Sequence, residues 1–215
     1  MKTRTIVGTL LVGSLAVLPA AGAAQPPGAG QDTTSQQQGP AARTETLSNL
    51  REAAEGEANA AHRYDLFAQR AADEGYQQVA RLFRAAALSE RIHLRNHEAV
   101  LRSLGEKPGL IELEEVEVKS TRENLRVPIE GEQEEAGATY PSFAAQARNA
   151  GLPNAARTFT YAGETERKHL GLFEDALRQL GQNPEVDYLV ESESGMVTTQ
   201  APGRVASVTG SPSQG

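Results

Sequence analysis

In four stretches of this sequence apolar residues recur at alternating spacings of three and four, and the middle of each stripe is held by glutamate. The first runs Leu47, Leu50, Ala54, Glu57, Ala61, Tyr64, Ala68, Ala71, and the second Val79, Phe83, Ala86, Glu90, His93, His97, Val100, Leu104. The last runs Ala155, Phe159, Ala162, Glu166, His169, Phe173, Ala176, Leu180; a less regular third carries Leu125, Pro128, Glu132, Glu135, Tyr140, Phe143, Ala147. Such spacing marks the core-facing seam of a helix. Abundant alanine and few β-branched residues favour helices over strands, so the chain is expected to be all-α. Acids at mid-seam then face a bundle interior, where an unpaired carboxylate is costly.

The middle of the chain is written twice. Asn49-Leu50-Arg51 recurs as Asn124-Leu125-Arg126, and Gly56-Glu57 as Gly131-Glu132, at an offset of 75. Tyr64, Phe67-Ala68, Gly75, Phe83, Glu90 and His93 recur as Tyr140, Phe143-Ala144, Gly151, Phe159, Glu166 and His169, at an offset of 76. This is two copies of a helix pair rather than a solenoid. The added residue lies between Glu132 and Tyr140. Seven residues separate Glu57 from Tyr64, two helical turns, but eight separate Glu132 from Tyr140. The spacing predicts a π-bulge near Glu135, with Pro141 freeing a carbonyl one turn earlier and an additional carboxylate brought to the site.

Glu57, Glu90, Glu132, Glu135 and Glu166 bring five negative charges to the seams, with His93 and His169 and no lysine or arginine on the same stripes. Two remedies are open: protonation of most of the acids, or metal cations. Glu90/His93 and Glu166/His169 are i,i+3 pairs that share a helix face. Their mixed oxygen and nitrogen donors favour iron or manganese over the sites zinc usually takes, without excluding adventitious zinc. Tyr64 and Tyr140 are placed to donate hydrogen bonds to ligand carboxylates. His97 is expected as a packed or partly exposed histidine rather than a ligand, and His62, off its stripe, at the surface.

These residues resemble the diiron domain of the rubrerythrin family over about residues 44 to 183. The resemblance is carried by Gly56-Glu57 with Tyr64, Glu90-Arg91-Ile92-His93, Gly131-Glu132-Gln133-Glu134-Glu135, Tyr140-Pro141-Ser142-Phe143-Ala144 and Glu166-Arg167-Lys168-His169. It implies a ferritin-like four-helix bundle built from two duplicated helix pairs with a long crossover, here about Gly105 to Ser120. It implies two iron ions, with Glu90 and Glu166 bridging, Glu57 and Glu132 terminal, and Glu135 exchanging with His93 on one iron as the oxidation state changes. Manganese or zinc are the candidate substitutes. It further implies a homodimer, with helix pair exchange an open arrangement, and reduction of hydrogen peroxide. The alternative kept beside that activity is a ferritin-like iron-binding or ferroxidase protein that consumes dioxygen without catalytic peroxide turnover.

The ends read differently. Lys2 and Arg4 precede an apolar run of 13 residues, Ile6 to Leu18, and Ala21-Gly22-Ala23 offers a cleavage site, so residues 1–23 are expected to be a signal peptide. The protein would then be exported, to a periplasm or to the exterior of a single-membrane cell. Its net charge would go from −7 to about −9, which excludes a basic nucleic-acid surface. Residues 24–43 read as a disordered linker, and residues 184–215 as a disordered tail. That tail also resembles a rubredoxin-like module whose four cysteine positions are held by Glu191, Ser194, Ala206 and Thr209; plain low-complexity sequence is the other reading. With no cysteine anywhere, that module has no iron of its own, and turnover would need an external electron donor of unknown identity.

Overall fold

Helix α1 (Thr33–Asp73) and helix α2 (Gln77–Ser103) form the first pair. They belong to a computed structural model that describes residues 33–203 except residue 183. Between them Gly75 takes φ +85, and Tyr76 N–H bonds Ala71 O at 2.8 Å, the six-to-one bond that closes a helix through a left-handed residue. The second pair repeats this turn at the corresponding position. Gly151 has φ +68 and Leu152 N–H bonds Ala147 O at 2.9 Å before helix α6 (Pro153–Arg178) begins.

The third rod of the bundle is broken into helix α3 (Thr121–Asn124), helix α4 (Arg126–Glu134), a π-helical turn (Glu135–Thr139) and helix α5 (Tyr140–Asn149). Tyr140 N–H bonds Glu135 O, five residues back, so the extra residue of the second repeat is absorbed where the spacing places it. The link from Gly105 to Ser120 has no regular structure and crosses back over α1, with Glu114 N–H bonded to Asn59 Oδ1 at 2.9 Å. It ends in a capping box, Ser120 with Glu123, that starts α3.

The apolar residues form two clusters. Phe67, Phe83, Leu125 and Phe173 anchor one; Leu50, Leu101, Ala147 and Phe159 anchor the other. Along α2, Val79 and Phe83 belong to the first and Leu101 to the second, with Glu90, His93 and His97 buried between them. A buried polar layer thus divides the core.

Two expectations about the ends are corrected. The linker expected to be disordered up to residue 43 is helical from Thr33, because α1 is already nucleated by its packed part and further residues add one hydrogen bond for each residue fixed. Arg43 Nη2 also donates to Leu104 O at 3.0 Å. Beyond Pro184 the chain forms an antiparallel hairpin, strand β1 (Asp187–Val190) with strand β2 (Val197–Gln200), Val190 facing Val197. The Glu191 carboxylate gathers its turn, accepting from Glu193 N–H at 2.9 Å and from Ser194 N–H and Oγ–H at 2.6 Å each. The turn docks on α2 through Ser89 Oγ–H to Gly195 O (2.6 Å), Arg95 to Ser192 O and Asn96 to Glu193 O (both 2.7 Å), and Val197 is buried. Residues 1–32, with the expected signal peptide and the start of the expected linker, and residues 204–215 lie outside the described residues. Among those described, no helix is long and apolar enough to cross a membrane.

Candidate metal centre

Glu57 on α1, Glu90 and His93 on α2, Glu132 on α4, and Glu166 and His169 on α6 meet in the polar layer, all buried. Donor atoms of Glu57, Glu90, His93 and Glu166 lie within 4.8 Å of one another, and so do those of Glu90, Glu132, Glu166 and His169. Glu90 and Glu166 belong to both quartets. His93 Nδ1 is 3.0 Å from Glu166 Oε1 and 3.1 Å from Glu90 Oε2. His169 Nδ1 is 2.9 Å from Glu166 Oε2 and 3.2 Å from Glu90 Oε1. The two halves of the repeat therefore build two cages, each of three carboxylates and one imidazole, that share two of the carboxylates.

The tyrosines cross between the halves. Tyr64 of the first repeat donates to Glu132 Oε1 of the second at 2.7 Å, and Tyr140 of the second donates to Glu57 Oε1 of the first. Glu135 stands apart. It is half-buried at the start of the π-helical turn, outside both quartets, and lines two surface hollows of about 280 and 270 Å³ that flank Gly56 and Gly131. His62 is half-buried and takes no part.

The electrostatics follow from burial. Burial and the neighbouring Glu166 push the Glu90 carboxyl up and the Glu132 carboxyl well up; burial and Glu132 do the same for Glu135. Burial also acts on Glu57 and Glu166, but His93 and the imidazole hydrogen bonds outweigh it and hold both below the usual carboxylate range. Burial disfavours charge on His93 and His169, yet the surrounding carboxylates carry both well above an ordinary imidazole. Burial, then Glu132 and Glu57, raise Tyr64 and Tyr140, so both phenols stay protonated donors.

Both oxygens of Glu90 and of Glu166, Glu132 Oε2, and Nδ1 of both histidines are buried without a hydrogen-bond partner. Among the described residues these carboxylates form ion pairs only with histidines. So many bare donors facing one another are accounted for by cations. His93 Nε2 lies 2.9 Å from Ser194 O, which accepts the ring N–H and leaves Nδ1 facing the carboxylates, a ligand for an ion once it gives up its own proton. A diiron centre of carboxylates and imidazoles fits these residues.

The sequence alone missed two contributors. The hairpin carbonyl at Ser194 belongs to a segment read as disordered. His97 is packed and lies outside both quartets, as expected; what its position on the stripe did not reveal is that its Nε2 comes within 3.7 Å of Glu57 Oε1.

Known proteins are similar to this chain over about two thirds of its length. The family model described as rubrerythrin matches residues 48–177, and again residues 123–202. Rubrerythrin-2 of Clostridium acetobutylicum is 34% identical over 142 residues, 66% of this chain and 77% of that protein. A putative rubrerythrin of Methanocaldococcus jannaschii is 35% identical over 144 residues, 63% of this chain and 71% of that protein. The structure of fully reduced, all-ferrous nigerythrin superposes with a TM-score of 0.68 at 28% identity, covering 73% of this chain and 78% of that one.

Proposed function

Because the chain belongs to the rubrerythrin family, we propose that it is a diiron oxidoreductase that reduces hydrogen peroxide to water with electrons from an external donor. The observation that carries this reading is the paired cage of bare, buried lone pairs on Glu90, Glu166, Glu132, His93 and His169. Reduction of one peroxide takes two electrons and two protons and yields two waters. Two ferrous ions, when bound, supply those two electrons.

The chain's residues do the rest. Glu57, Glu90, His93 and Glu166 would hold one ion, and Glu90, Glu132, Glu166 and His169 the other. Tyr140 and Tyr64 fix the orientation of Glu57 and Glu132 through their hydroxyls. The two apolar clusters exclude water above and below the layer. Glu135, at the wall of the hollows and with its carboxyl raised by burial and by Glu132, is placed to hold a proton on its carboxyl at the edge of the site. His93 lies in the quartet and Glu135 outside it; in the exchange that the family implies, Glu135 would replace His93 on that ion. Export after removal of the leader, and assembly as a homodimer, complete this reading; light scattering of the mature chain tests the second.

One observation favours a second reading. A chain without cysteine carries no thiolate-bound iron to feed the centre, as suits an iron-binding or ferroxidase protein that does not turn over peroxide. Stopped-flow oxidation of the anaerobically Fe(II)-loaded protein separates the two. Oxidation much faster by peroxide than by dioxygen, at two irons per chain, is expected. Faster oxidation by dioxygen, or uptake beyond two irons, favours the second reading.

A further inference from the structure

The internal repeat is broken at two positions that touch. At the offset of 76 that pairs His93 with His169, His97 corresponds to Phe173 and Thr158 to Leu82. One half therefore has two polar side chains where the other has two apolar ones. Thr158 Oγ1 and His97 Nδ1 are 3.3 Å apart, whereas Leu82 and Phe173 lie together in an apolar cluster. A histidine and a threonine, each at least nine-tenths buried, form a polar pair where the other half of the repeat is apolar.

The geometry around His97 gives the substitution a direction. Its ring stacks on Tyr140, with centroids 6.0 Å apart and planes 17° from parallel. Tyr140 is the residue whose hydroxyl donates to Glu57 Oε1. His97 Nε2 is buried without a hydrogen-bond partner and faces that same oxygen at 3.7 Å. His97 is not among the four residues whose donors converge within 4.8 Å at this end, so it reaches the ion site through Glu57 alone. A bare Nε2 facing a carboxylate would set lone pair against lone pair. The proton therefore sits on Nε2, which leaves Nδ1 to accept the Thr158 hydroxyl. A shift of roughly 0.7 Å brings Nε2–H into the ~2.7–3.2 Å range of an N–H···O bond.

We propose that His97, set by Thr158, is a positioning residue that makes the two ends of the centre unequal by donating a second hydrogen bond to Glu57. Glu57 is then oriented by two donors and Glu132 by Tyr64 alone, because Phe173 has nothing to donate. The ion at the Glu57 end depends on His97; the ion at the Glu132 end does not. This rests on the two-ion reading of the site.

Titration of the metal-free full-length chain with Co(II), followed by visible absorption, tests it. The unaltered chain binds two ions. In His97→Phe, which copies the other half of the repeat, one ion binds as before and the other about 10–100-fold more weakly, the usual cost of losing a group that orients a metal ligand. His97→Gln, which keeps a donor near the Nε2 position, restores most of the loss, and Thr158→Val falls between. In the metal-free chain, ¹⁵N NMR of the His97 ring shows Nε2 protonated and Nδ1 bare. Equal affinities in His97→Phe and the unaltered chain, or equal weakening of both ions, overturn the proposal. So does a His97→Gln variant as weak as His97→Phe with an unchanged melting temperature, since the role is then packing. An unaltered chain that takes up fewer than two Co(II) ions overturns the two-ion reading, and this inference with it.

Discussion

Alanine at Gly163 sets two opposing effects against each other at one position. Gly163 is buried on α6 where that helix meets the end of the π-helical turn, and a Cβ built there lies 2.9 Å from Tyr140 Cβ and 3.8 Å from its Cγ. Tyr140 Cβ is fixed to backbone and cannot swing aside, so α5 and α6 must part. Overpacking of that kind costs about 1–3 kcal/mol, while replacing a helical glycine returns about 0.5–1 kcal/mol, for a net loss of up to roughly 2.5 kcal/mol. Gly171 on the same helix is the control. A Cβ there meets nothing within 4 Å, so alanine should stabilise by about 0.5–1 kcal/mol. Thermal and urea unfolding of the metal-free chain, read by far-UV circular dichroism, should rank Gly171→Ala above the unaltered chain and Gly163→Ala below it. At about 2–4 °C per kcal/mol for a chain of this size, the two variants should melt several degrees apart. Parting α5 from α6 also draws Tyr140 away from Glu57, so Gly163→Ala should lose Co(II) affinity as well. A Gly163→Ala variant that melts at or above the unaltered chain would refute the packing argument.

Tyr64→Phe and Tyr140→Phe each leave a buried glutamate short of its donor, and each should cost about 1.5–3 kcal/mol in urea unfolding of the metal-free chain. The pH dependence of the metal-free fold has a definite sign. Glu90, Glu132, Glu135, His93 and His169 are all raised, so their contribution is full below their ordinary values of 4.5 and 6.5 and is lost as pH rises through the higher folded ones. Glu57 and Glu166 are lowered and act oppositely, losing theirs only as pH falls below 4.5. Urea midpoints should therefore fall from mildly acid to alkaline pH without metal, while Co(II) affinity rises over the same window as the ligands lose protons. Gly195→Ala places a Cβ at φ +81 and 2.7 Å from His93 Nε2, and should free the hairpin, read as new limited-proteolysis cuts between residues 187 and 200.

Much of the centre was legible because helical periodicity is a local rule. Glu90 and His93, three residues apart, share a face on any helix, and a second Glu-x-x-His at an offset of 76 says that the face has a partner. The π-helical turn was legible for the same reason, since one surplus residue between Glu132 and Tyr140 must be absorbed somewhere. The hairpin was not. Its sequence offers no apolar alternation and no cysteine, and its order depends on the Glu191 carboxylate and on docking to Ser89, Arg95 and Asn96, about a hundred residues away in the chain.

The sequence by itself determined the helices, their duplication and the acids and histidines that line them, because each depends on spacings within one turn or one repeat. Only the tertiary structure decided which atoms meet: that each tyrosine serves the opposite repeat's glutamate, that Glu135 stays outside both quartets while His97 comes up to Glu57, and that a carbonyl of the tail fixes the tautomer of His93. Those contacts join residues 40 to 101 positions apart, and no periodicity along the chain encodes which of two neighbouring side chains a packed core will turn toward a third.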